Sequence, residues 1–369
     1  MNINKNESNQ TSNQIFYIQK SFKLIELSNK ENNQYKVNLI SLSKKSLLLF
    51  NILISAIYLL LKNQKEIAIY DSIKYDIVIP LSINDTKTFI QQLDILKKFL
   101  YFDKMVIISK NNPKIINENI STIFINEECL IQRENLIKIF NTRGINETNR
   151  INWYHQQFLK MSYSRICENE YYLLWDSDTI PIKPINMFDN GYPLFDMKDE
   201  HHSPYFITLK RLLPNLHFSK LSYISEHMII KSEYMKNLLD QIEKNNIVPG
   251  KYFWEKILMS IDLNELTKSG FSEFEAYGNF VDTIFPKVYK HRNWSSKRDM
   301  SKYYGSIEQL SKQDLNWLSK DYYTITFEKW EKFEIYNLNF IKNPEIQKLS
   351  GPKRLFKHLK RIVKKYKNI

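Results

Sequence analysis

The sequence predicts an α/β fold, a mostly parallel sheet wrapped by helices. Short apolar runs at Tyr75 to Pro80, Met105 to Ser109, Thr122 to Asn126 and Tyr171 to Trp175 are each followed by a polar break, with helical spacing between them. That rhythm belongs to parallel strands joined by crossover helices. The last run, Tyr-Tyr-Leu-Leu-Trp, stops at two carboxylates one residue apart, Asp176 and Asp178. An apolar strand of this kind is covered on both faces, and ligands bind beyond the carboxyl ends of such strands. The third observation is size: 369 residues, 43% of them hydrophobic, can hold one large α/β domain with appendages or two modest domains.

Taken in order, residues 1–45 form a polar segment whose first part, rich in Asn, Ser and Gln, reads as disordered. Ser46 to Leu61 is almost unbroken Leu, Ile, Phe and Ala between Lys45 and Lys62. A helix over 46–62 spans about 24 Å in its apolar part, short of the roughly 30 Å of a bilayer core unless the flanking lysines snorkel. It is either a membrane anchor or a helix packed on the body. With a long polar stretch before it and no small-residue cleavage site after it, it does not read as a secretory signal. After the first strand, Phe89, Leu93, Leu96 and Leu100 mark one helical face. Arg150 to Ile166 reads as a helix whose Ile151, Tyr154, Phe158 and Met161 face the core, while Arg150, Gln157 and Lys160 share another side. The latter three could present donors to a phosphate or a sugar, or simply form a solvated face.

The net charge of +13 invites a nucleic-acid reading, but its distribution argues against one. Eight cations fall within Lys353 to Ile369, where Leu355, Phe356, Leu359, Ile362, Val363 and Tyr366 recur at helical spacing opposite them. Such a basic amphipathic helix suits an anionic membrane surface, each cation contributing about 1 kcal/mol there; the alternative is a tail docking its apolar stripe on the body. No nucleic-acid motif accompanies the charge. Two cysteines, Cys129 and Cys167, exclude a disulfide scaffold, and no Cys/His cluster has zinc spacing. Seven glycines and no Gly-rich loop exclude a Rossmann dinucleotide site or a P-loop.

Two carboxylates as close as Asp176 and Asp178 repel in a poorly solvated site, so they hold a proton or share a cation. Mg2+ or Mn2+ on one or two carboxylates keeps open positions for water and phosphate oxygens, which makes the pair a seat for a diphosphate. The bland alternative is a solvated turn after a strand.

The ordered set of segments resembles a GT-A type glycosyltransferase, and in particular a bacterial-type family associated with polysaccharide and O-antigen synthesis. The resemblance rests on Ile-Val-Ile-Pro-Leu followed by Asp85, the Arg150-Ile-Asn-Trp-Tyr-His-Gln-Gln-Phe-Leu-Lys helix and Leu-Leu-Trp-Asp-Ser-Asp-Thr. Ser225-Glu-His-Met-Ile-Ile and Ser272-Glu-Phe-Glu-Ala-Tyr-Gly complete the set, over roughly Tyr75 to Ser296. It implies a catalytic domain over 75–300 and an extension over 301–369 ending in the basic helix. It implies that Asp176 and Asp178 are a DXD motif holding Mn2+ or Mg2+, with His291 as a third ligand. Asp85, Arg150, Gln157, Lys160 and Asp176 would contact a nucleotide-sugar donor. Glu275 would be the base if the anomeric centre inverts, with Glu273 a polar partner and His227 the second candidate. For these the plain alternatives are an acidic surface turn and hydrogen-bonded core histidines.

The expected function is transfer of a sugar from a nucleotide sugar to a glycan or lipid-linked acceptor, on the cytoplasmic face of an inner membrane. Two other classes compete. One is a membrane-associated sugar-binding protein with a structural cation. The other is a haloacid-dehalogenase-like phosphatase, which Ile180 disfavours because that pattern has Thr or Val two residues after the second Asp.

Overall fold

The computed structural model describes residues 23–30, 34–41, 73–146, 150–328, 332–333 and 341–367. The chain divides into two compact units, Met1–Asp71 and Ser72–Ile369. In the first, β1 (Lys23–Lys30) and β2 (Gln34–Ser41) pair antiparallel, with Lys23 opposite Ser41 and Lys30 opposite Gln34. The Ser46 to Leu61 stretch lies outside the described residues.

The strands of the second unit are β3 (Tyr75–Pro80), β4 (Met105–Ser109), β5 (Thr122–Asn126), β6 (Tyr171–Trp175), β7 (Thr179–Pro181), β8 (Phe188–Asp189), β9 (Tyr192–Met197), β10 (His227–Lys231), β11 (Lys290–Asn293), β12 (Ser296–Lys297) and β13 (Thr324–Thr326). Five helices bear on the site: α1 (Thr86–Ile90), α2 (Leu93–Phe99), α3 (Ile151–Ser162), α4 (Glu273–Ile284) and α5 (Pro352–Lys367).

The main sheet has the order β10-β6-β3-β4-β5. β3, β4, β5 and β6 are parallel, and β10 closes the edge antiparallel to β6 with His227 opposite Trp175. Composition explains the order: the wholly apolar β4 and β6 flank β3 and are covered on both faces, whereas β5 is only half-buried and lies at an edge. The connections from β3 lead one way, to β4 and β5, while β6 lies on its other side. The loops after β3 and β6 therefore diverge and leave a crevice at their carboxyl ends, the usual seat of a ligand in open α/β sheets. Asp85 follows β3 and Asp176 follows β6.

Two smaller sheets extend this side, β11-β9-β8 and β12-β13-β7. A second apolar cluster, including Ile180, Met300, Trp317 and Ile325, lies around the latter and takes in Leu355, Phe356 and Leu359 of α5. The expected use of that stripe on an anionic membrane is thereby corrected. Leu355, Phe356 and Leu359 are covered by protein, a burial worth roughly 1.5–3 kcal/mol each, and in this fold they do not face a membrane surface. The expected membrane location and single-pass anchor are corrected as well: among the described residues no helix is long and apolar enough to cross a membrane.

The expected helix over Arg150 to Ile166 is α3 with one 3-10 turn, Tyr163–Arg165, after it. Its Ile151, Tyr154, Phe158 and Met161 are buried. So are Gln157 and Lys160, which the spacing had placed on a second side.

Candidate functional site

The turn after β6 is tight. Thr179 N–H donates to Asp176 O at 3.0 Å and Trp175 Nε1 to Thr179 O at 3.0 Å, so the two acids project from a short, pinned loop. Neighbouring strands hold it from both sides: Asp176 N–H donates to Glu226 O at 3.0 Å and Phe327 N–H to Asp178 O at 3.1 Å.

The two carboxylates have different partners. Lys160 of α3 bridges Asp176 Oδ1 at 2.6 Å and Glu273 Oε1 at 2.9 Å. Burial alone would depress its ammonium, but the two carboxylates outweigh that and raise it above the usual lysine range. Among the described residues Asp178 has no such cation. Burial, then the charges of Asp176, Glu328 and Asp85, push its carboxyl up to about 8. The crevice thus gathers three acids, Asp85, Asp176 and Glu328, around Asp178, whose carboxyl is pushed up to about 8. This is the electrostatic situation a divalent cation relieves.

Two carboxylates suit Mg2+ or Mn2+ completed by phosphate oxygens and water. Among the described residues no group of three His, Cys, Asp or Glu is arranged to hold a metal ion. His291 therefore does not join the pair: on β11 its Nε2 lies 2.7 Å from Asp282 Oδ2, a hydrogen bond that raises its pKa.

α4 begins at the site. Ser272 caps it, its Oγ accepting from Glu275 N–H at 3.3 Å, and two acids in the first turn complement the helix dipole. Glu273 and Glu275 are both buried, not an acidic surface turn. On a helix they point apart, Glu273 to Lys160 and Glu275 to Ser222, whose Oγ donates at 2.5 Å, with Asn279 Nδ2 at 3.0 Å. Burial raises the Glu275 carboxyl against these donors. Gln157 Oε1 accepts from Glu273 N–H at 3.0 Å, and its buried Nε2 has no partner. Arg150 lies elsewhere: Nη2 donates to Ser269 Oγ at 2.5 Å, Nε donates to Lys268 O, and the guanidinium covers Trp153.

His227 is a core histidine between Trp175 and Trp294. Its Nε2 lies 2.8 Å from Asp196 Oδ2, and Arg292 grips the same carboxylate at 2.6 and 2.9 Å. Burial would raise Asp196, but His227 and Arg292 hold it below the usual range.

The residue before His227 organises more of the site. Glu226 is buried and accepts from Lys198 at 2.5 Å, Ser296 at 2.8 Å, and Trp294 and Thr324 at 3.3 Å each. Burial opposes its charge, yet Lys198 and these donors hold its carboxyl at about 2. It ties β10, β12 and β13 beside the acid pair. Sequence reasoning passed over Glu226 within the Ser225-Glu-His segment because the histidine drew the role. Glu328 had a usable signal: Thr-Ile-Thr-Phe-Glu is another apolar run ending in an acid.

The described unit compares as follows with known proteins. No curated protein matches significantly. Among solved structures, the mannosyltransferase Ktr4p from S. cerevisiae in complex with GDP is 9% identical at a TM-score of 0.37, over 60% of this chain and 69% of that one. The galactosyltransferase LgtC in complex with donor and acceptor sugar analogs is 10% identical at 0.34, over 70% and 88%. The bifunctional glycosyltransferase WbbM is 10% identical at 0.36, over 75% and 51%. Likenesses this remote bear on neither the reaction nor its residues. At the level of sequence, a family model matches residues 72–355, nearly the whole second unit. The chain belongs to that family, described as a family of unknown function, DUF6492.

Proposed function

We propose that the second unit is a GT-A type, metal-dependent glycosyltransferase that moves a sugar from a nucleotide-sugar donor to a glycan or lipid-linked acceptor. The observation that carries this reading is the acid cluster in the crevice between β3 and β6, with Asp178 pushed up to about 8 by burial, Asp176, Glu328 and Asp85. Asp176 and Asp178 would hold Mn2+ or Mg2+, whose contribution is to neutralise the diphosphate as it departs. Lys160 fixes the direction of the Asp176 side chain, and Gln157 holds the start of α4 against α3 through Glu273. Asp85, at the opposite lip, would contact the nucleoside end of the donor.

For inversion, an acceptor hydroxyl would replace Ser222 Oγ as the donor to Glu275. Burial raises the Glu275 carboxyl, the direction that suits a general base. Glu275→Gln is then expected to lower kcat by roughly 10²–10⁴-fold, the usual range for a lost general base, with nucleoside diphosphate affinity unchanged. An unaltered kcat removes the base role.

The test of the whole reading is a panel of nucleotide sugars with and without Mn2+ across pH. Because the cation must displace the Asp178 proton, apparent Mn2+ affinity is expected to rise about 50-fold between pH 6 and pH 8, as competition with a single proton near pKa 8 requires. Metal binding that ignores pH, or no donor consumed with any metal, would sink the proposal.

A further inference from the structure

With Leu355, Phe356 and Leu359 buried, α5 turns Lys353 and Lys360, two turns apart on one face, into a cavity of about 420 Å³. Lys198, Lys297, Arg298 and Trp294 line the same cavity, together with the carboxylates of Glu200, Asp299 and Glu328. Three of these cations have carboxylate partners: Lys198 with Glu226 at 2.5 Å, Arg298 with Glu200 at 3.0 Å, and Lys297 with Asp299. Lys353 and Lys360 have no ion-pair partner among the described residues. Burial draws the Lys297 ammonium below its usual range; Asp299 opposes that, and Lys360 and Lys302 add to it. With five cations against three carboxylates in its lining, the cavity keeps an excess of positive charge that a bound anion relieves.

The position of the cavity says which anion. Glu328 lines it and also raises Asp178, so it borders the acid pair on the β12 and β13 side. Asp85 and the crevice between β3 and β6 mark the other side, where the donor reading puts the nucleotide. Several point charges and one guanidinium fork around a small volume match a doubly charged phosphate better than a single carboxylate. Trp294, stacked on Tyr323 with ring centroids 4.8 Å apart, offers a rigid apolar wall for an adjoining sugar ring.

We propose that this cavity is the acceptor's anion site, taking a phosphate group of the acceptor between Lys297, Arg298, Lys353 and Lys360. The word acceptor rests on the transferase reading above, whereas the phosphate rests on the cavity alone. The basic helix is then part of substrate recognition.

Isothermal titration of the full chain with inorganic pyrophosphate, free of divalent metal, tests it. Under these conditions Asp85, Asp176 and Asp178 in the crevice repel the probe, leaving the cavity, where cations outnumber carboxylates, to bind it. The double variant Lys353→Ala/Lys360→Ala is expected to bind about tenfold more weakly, the scale of one or two lost charge-assisted contacts. Both side chains are exposed, and a melting curve matching the wild type establishes that the fold survives. Lys353→Arg/Lys360→Arg is expected to retain binding. Unchanged pyrophosphate affinity in the alanine variant overturns the proposal. So does a parallel loss of Mn2+-dependent UDP or GDP binding, which would assign the cavity to the donor's diphosphate. If the wild type consumes no nucleotide sugar yet loses pyrophosphate binding in the alanine variant, the transferase reading fails and the phosphate site stands.

Discussion

Asp178→Asn is expected to lower metal-dependent donor turnover by roughly 10²–10³-fold, the scale of losing one group that stabilises developing charge. It is also expected to flatten the pH dependence of stability in the metal-free protein. The folded carboxyl is pushed up to about 8 from an ordinary value of 3.8. Between those values the folded state binds more protons than the unfolded one, so the stability this group contributes is lost as pH rises toward 8. A neutral Asn removes the term. Melting temperatures of metal-free wild type should therefore fall from pH 5 to pH 8.5, and those of the variant should fall less. Added Mn2+ should raise only the wild type, and more at the alkaline end. Equal turnover by wild type and a folded Asp178→Asn protein would end the case for the acid pair.

The second large effect is expected at Lys160. Its ammonium is almost wholly buried between Asp176 and Glu273. Lys160→Met keeps the volume but leaves two carboxylates without their cation, one of them as buried as the lysine. Breaking a buried pair from one side typically costs about 3–5 kcal/mol. Urea denaturation should show a loss on that scale, together with a fall in turnover as Asp176 loses its orientation. Lys160→Met/Glu273→Gln should recover part of the stability, because one stranded charge is gone, without recovering turnover. A loss no larger than a surface ion pair gives, below about 1 kcal/mol, would mean that the bridge does not hold the site together.

Much of the frame was legible before any coordinates. The bounds of β3, β4, β5 and β6 follow from apolar runs that stop at polar residues, and a strand buried on both faces advertises itself in this way. The acid pair was legible for the same reason, since a buried strand has few uses for two carboxylates at its tip. Less could be read at Glu273 and Glu275. Their spacing puts them on one side of a strand and on different sides of a helix, and only the capping by Ser272 at the start of α4 decides between these. His227 and His291 looked alike as isolated histidines. Asp196 reaches one and Asp282 the other, and partners that far apart in sequence leave no local pattern.

The basic helix shows the division most plainly. The sequence by itself determined that α5 would be amphipathic, with apolar residues on one side and cations on the other, because periodicity is a local property. What covers the apolar side is not local. The tertiary structure decided that Leu355, Phe356 and Leu359 meet a core built from Ile180, Met300, Trp317 and Ile325. Burial against protein turns the remaining face toward Arg298 and the edge of the acid pair. Likewise, residues 176 and 178 were determined to be a close, repelling pair by the chain itself. That Lys160 neutralises one while Glu328 and Asp85 bear on the other was decided by the fold, since charges separated by tens or hundreds of residues interact only once packing has brought them together.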